Sequence, residues 1–132
     1  MRIQSNTFKQ GATFAYAGFI LNLPDGNWQP SATLRTPDGT FIQDLAISLT
    51  PPSAALLLPP GLNTATFDSQ LLNSPLWTQS TNTWIVILYA SYIETALWPL
   101  GPNLYDIRLN LNGNVIISPT QTVNVIAAET LS

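Results

Sequence analysis

The chain has 132 residues, no Cys and no His, and only 8% charged residues, 4 basic and 7 acidic, for a net charge of -3. That length suits one domain with a real core and no staples, while the missing Cys excludes disulfides and thiolate metal sites. The missing His removes the commonest general base and metal ligand, and four cations are too few to neutralise a nucleic-acid backbone.

In chain order, residues 3–9 alternate weakly and predict a short edge strand. After Gly11, Phe14, Tyr16, Gly18 and Ile20 share a parity, predicting a strand over 12–22. Residues 12–21 faintly resemble a secretion signal, but the aromatic spacing and the Pro24-Asp25-Gly26 turn suit a strand better. Residues 28–35 form the next strand. Pro37-Asp38-Gly39 then predicts a three-residue hairpin with Gly39 left-handed, setting Leu34 opposite Ile42. The apolar phase becomes odd at Leu45, Ile47 and Leu49. This predicts a bulge at Gln43 and Asp44, or a crossing between sheets there.

Residues 51–82 form a long Pro-rich insertion loop, broken at Pro51-Pro52, Pro59-Pro60-Gly61 and Pro75. Within it, residues 54–58 read as a buried strand or as a loop that docks on a neighbour, and a short strand or helical turn is expected within 62–74. Residues 84–90 are continuously apolar and predict a central strand buried on both faces. Ser91 and Glu94 have capping-box spacing, which predicts a short helix over 92–97 that ends at Pro99 and Gly101.

The strongest strand signal follows. Tyr105, Ile107, Leu109 and Leu111 alternate with Asp106, Arg108 and Asn110. Asn112-Gly113 favours a two-residue type I′ turn, which sets Leu109 opposite Ile116. A three-residue turn instead pairs Leu109 with Val115 and Ile107 with Ile117, so both strands bury their odd positions. The burial argument selects the three-residue turn. Residues 1–127 thus read as one all-β domain, with 128–132 as a frayed tail.

No phosphate loop, nucleophile elbow or metal-ligand spacing occurs. Of the carboxylates, Asp25 and Asp38 sit in Gly turns, Glu94 has a capping role, and no two are brought together as a hydrolase needs. No enzyme activity and no cofactor are expected. Low charge has two readings: an uncharged polar surface, or a surface covered by other subunits, because interface cores are depleted of charge. No apolar run approaches the ~18 residues of a membrane span. Trp84 and Trp98 read as core anchors. Trp28 and Trp77 remain as sugar-stacking platforms or protein anchors, and Leu56, Leu57 and Leu58 as docking residues.

Three segments carry a resemblance: Gln10-Gly11-Ala12-Thr13-Phe14, then Ala32-Thr33-Leu34-Arg35 running into Pro37-Asp38-Gly39-Thr40. The third is Glu94-Thr95-Ala96-Leu97-Trp98-Pro99-Leu100-Gly101 followed by Leu104-Tyr105-Asp106-Ile107-Arg108. Their order is similar to the immunoglobulin-like domains of tailed-bacteriophage tail and baseplate proteins, notably the N-terminal domain of baseplate upper proteins. The resemblance covers roughly residues 8–50 and 84–126; residues 51–82 have no counterpart in it. It implies an immunoglobulin-like antiparallel β-sandwich without catalytic residues, located in the virion. There it would assemble with tail, baseplate or fibre subunits and as a homo-oligomer. A carbohydrate-binding module and a capsid decoration protein are the alternatives.

Overall fold

The computed structural model describes residues 7–52, 54–62 and 82–128. Two β-sheets pack face to face, with one short helix at a corner. The strands are β1 (Thr7–Lys9), β2 (Phe14–Leu21), β3 (Gln29–Arg35), β4 (Phe41–Asp44), β5 (Ala46–Thr50) and β6 (Thr83–Ala90). Helix α1 (Tyr92–Thr95) precedes β7 (Gly101–Leu111), β8 (Asn114–Ile117) and β9 (Gln121–Ile126). The larger sheet runs β1-β9-β7-β3-β4, with β8 also on β7, and the smaller runs β2-β6-β5. Strand β1 pairs parallel to β9, and the other pairs are antiparallel.

The all-β reading holds, and period two explains why. Along β7, Asn103, Tyr105, Ile107 and Leu109 point into the core, which they share with Leu34, Val123 and Val125 of the same sheet. Phe14, Leu49, Trp84, Val86 and Leu88 meet them from the smaller sheet. Strand β6 is buried along both faces, as its continuous apolar run predicts. Its second face, at Ile85 and Ile87, packs with Leu56, Leu58 and Leu62. Residues 54–62 of the Pro-rich stretch therefore cover the smaller sheet. Its Leu57 backbone is tied to β5, accepting from Ser48 Oγ at 2.8 Å and donating to Thr50 Oγ1 at 2.9 Å. Of the element expected within 62–74, residues 63–74 lie outside the described residues, as do residues 3–6 of the expected first strand and the tail from 129.

Two registers differ from expectation. In the β3–β4 hairpin Gly39 is left-handed (φ 93°), but Leu34 lies opposite Gln43 and the irregularity falls between Leu34 and Arg35, leaving Ile42 without a cross-strand partner. The parity change at Leu45 is the chain crossing from the larger sheet to the smaller. The larger correction concerns β7 and β8. Leu111 pairs with Asn114 and Leu109 with Ile116, so the turn is the two-residue one, with Asn112 and Gly113 both at positive φ (50° and 88°). Burial is recovered one step later. Pairing runs Arg108 to Ile117 in β8 but Tyr105 to Gln121 in β9, a shift of one residue across Ser118-Pro119-Thr120. The Ser118 backbone N–H donates to Ile107 O and its hydroxyl accepts from Ile107 N, both at 2.8 Å. This break lets β9 bury Val123 and Val125 while β8 keeps the turn that Asn-Gly favours.

Candidate functional site

Among the described residues, those selected from the sequence do not form one site. Trp28 is a core residue, only 8% exposed, and its indole N–H donates to Pro24 O at 2.8 Å. It therefore presents no ring face for stacking on a sugar or a partner. The misreading has a simple cause. Position 28 lies just before β3, where the carbonyl of Pro24 satisfies the indole nitrogen, so the ring can be buried without loss. Trp77 lies outside the described residues. Leu56 and Leu58 are half-buried beneath the loop, and only Leu57 points outward, at 52% exposure.

Two other places concentrate exposed apolar side chains. The first is the α1 corner. Ser91 caps the helix: its hydroxyl accepts from Glu94 N at 3.2 Å, and the Glu94 carboxylate accepts from Ser91 N at 2.9 Å. Thr95 Oγ1 donates to Ala12 O at 2.6 Å, and Gln10 Nε2 donates to Trp98 O at 2.7 Å, tying the corner to the β1–β2 turn. Trp98 is sunk against Phe8 and Phe14, with ring centroids 5.4 Å from each. With Thr95 and Trp98 turned inward, Tyr92, Ile93, Leu97 and Leu100 are left facing solvent, Leu97 at 83%. The helix itself carries one charge, Glu94, whose carboxylate also accepts from the amide of Gln43 in β4 at 3.3 Å.

The second place is β8. The two-residue turn leaves Val115, Ile116 and Ile117 exposed, the last at 55%. Ile116 and Ile117, with Leu109, Ile20 and Tyr16, also line an apolar groove of about 330 Å³ between β8 and β2. A second groove of about 270 Å³ is lined by Tyr16, Tyr105, Thr122 and Gln121. The Tyr105 phenol is pushed upward, first by burial and then by Tyr16 beside it. The sequence carried one signal for the exposed strand, the Asn-Gly pair. The outward face of α1 had no comparable signal, because Leu97 and Trp98 are equally apolar neighbours.

Among the described residues the ionisable groups are dispersed. Arg35 pairs with Asp106 at 3.2 Å, whereas Arg108, across from Ile117, has no ion-pair partner among the described residues. Asp44 and Asp106 lie either side of Thr33 on one face of the larger sheet. Asp44 accepts from Thr33 Oγ1 at 2.8 Å and Asp106 from Arg35, on an open sheet face rather than in a cleft. Asp38 is held below the usual carboxylate range by the hydroxyls of Thr36 and Thr40, inside its turn. Among the described residues no group of three or more Asp, Glu, His or Cys is placed to hold a metal ion, and no helix is long and apolar enough to cross a membrane. What the arrangement offers chemically is apolar surface and strand edges for association. No family model matches the chain, and no curated protein or solved structure matches it significantly.

Proposed function

We propose that this chain is a structural component of a bacteriophage virion. It is a tail, baseplate or fibre-adaptor subunit that acts by protein–protein assembly and carries out no catalysis. The observation that carries the reading is a charge-poor surface with apolar side chains exposed at two separate places, the α1 corner and β8. Free monomers normally keep charge on the surface and cover such side chains. Subunits of a particle have them covered by neighbours. The phage setting comes from the resemblance of the segment from Glu94 to Arg108, and that segment contains the exposed corner itself. Capsid decoration is the same mode of action at another place on the particle.

Immunogold electron microscopy of purified particles, with an antibody raised against this chain, tests the reading. Label at a fixed position on the tail or baseplate supports it, and label on the head selects decoration. A chain that stays in the soluble fraction of the lysate and leaves the particles unlabelled ends the proposal.

A further inference from the structure

The two apolar places lie at opposite ends of β7. Strand β8 pairs with Arg108–Leu111, the last residues of β7, whereas the α1 corner leads directly into its first residue, Gly101. Seven residues, each advancing about 3.3 Å, separate Gly101 from Arg108 along the strand. Among the described residues, β8 has no strand beyond it. The charges at the two places are opposite. Arg108, without an ion-pair partner among the described residues, stands beside Ile117, while Glu94 stands on the α1 corner.

A twofold contact made through β8 alone brings two copies of Arg108 together, and one made through α1 alone brings two copies of Glu94 together. Like charges across an interface are repulsive. Joining the two different surfaces removes the repulsion and pairs Arg108 with Glu94, while burying apolar side chains on both sides. Because the surfaces lie at opposite ends of β7, such a contact leaves one of each free on every pair. It therefore propagates into a ring or a filament.

We propose that copies of this chain associate head to tail, the β8 edge of one copy (Val115, Ile116, Ile117, Arg108) seated on the α1 corner of the next (Ile93, Glu94, Leu97). This contact deepens the reading of the chain as an assembly protein, on which it rests, by naming the two surfaces through which copies meet.

Analytical ultracentrifugation of the wild type, Ile116→Asp and Leu97→Asp tests it. Both positions are exposed, so the fold is retained, and circular dichroism checks this; serine at the same positions serves if an aspartate variant fails to fold. The expected result is a wild type that grows beyond two chains with concentration and two variants that are each monomeric. An equimolar mixture of the variants then forms a two-chain species, because each supplies the surface the other lacks. Arg108→Glu weakens wild-type association at least about tenfold at low salt. A wild type that remains monomeric or stops at two chains, a single variant that still assembles, or a mixture that stays monomeric overturns the proposal. A monomer that is nevertheless found on particles removes the head-to-tail contact and leaves the virion role standing. Unlabelled particles remove the role whatever the sedimentation shows.

Discussion

The indole N–H of Trp98 donates to the side-chain oxygen of Gln43, a residue 55 positions earlier in the chain. The same Gln43 amide donates to Glu94, so one side chain fastens edge strand β4 to both ends of the α1 corner. Trp98 is 1% exposed. Replacing its partner by Gln43→Leu leaves a buried donor without an acceptor, which costs about 1–3 kcal/mol. Urea unfolding followed by Trp fluorescence measures it. A loss indistinguishable from zero would show that the indole is satisfied without Gln43.

Ser91 and Glu94 form a reciprocal cap on a helix of only 4 residues. Such a helix has no propensity to persist alone, so the cap and the Thr95 bond to Ala12 hold it. Ser91→Ala is expected to cost about 1 kcal/mol, and Ser91→Gly only a few tenths. Equal losses for the two, read from denaturant midpoints, would point to a packing role for Ser91 instead of a cap.

Much of the sandwich was legible because burial writes a period into the chain. Tyr105, Ile107 and Leu109 alternate as a half-buried strand must, and the unbroken run through Ile85, Val86 and Ile87 announces burial on both faces. What covers the second face was not legible. Leu56 and Leu58 sit among prolines without period, and only the hydroxyls of Ser48 and Thr50 show where the loop docks. The candidate interaction surface was largely hidden. Assuming that Val115 and Ile117 must be buried led to the wrong turn, because the phase correction at Ser118-Pro119 lies in a stretch that reads as ordinary loop. Trp28 was misplaced for a related reason: an acceptor at Pro24 O cannot be seen in the sequence.

The turn itself is open to test. In the two-residue turn Asn112 is left-handed (φ 50°), whereas the three-residue alternative asks that only of Gly113. Asn112→Val should cost about 1–2 kcal/mol, since a β-branched residue resists positive φ. Asn112→Gly should be neutral or mildly stabilising. If valine proved harmless in chemical denaturation, the register of β8 and its exposed face would both need revision.

The cover over the smaller sheet predicts a contrast between neighbours in space. Ile87 is fully buried beneath the loop, while Leu57 is tied there by its backbone and points its side chain outward. Ile87→Ala is expected to cost about 2–5 kcal/mol through lost burial and the cavity left behind. Leu57→Ala should stay within about 0.5 kcal/mol. Comparable losses at the two sites in thermal or urea unfolding would mean that the Leu57 side chain is also packed.

Tyr105 makes the stability pH-dependent on the alkaline side. Its phenol is raised by burial and, secondarily, by Tyr16, whose ring centroid lies 6.4 Å away. In the unfolded chain the group ionises near its ordinary value of about 10. The folded state keeps it protonated to higher pH. Ionisation therefore favours the unfolded chain above about 10, and the group's contribution, fully present below that pH, is lost as pH rises towards the folded value. Tyr105→Phe removes this dependence while keeping most of the ring packing. Urea unfolding at about pH 8 and about pH 11 should show a smaller alkaline loss in the variant than in the wild type. Parallel losses in the two proteins would assign the alkaline sensitivity to another group.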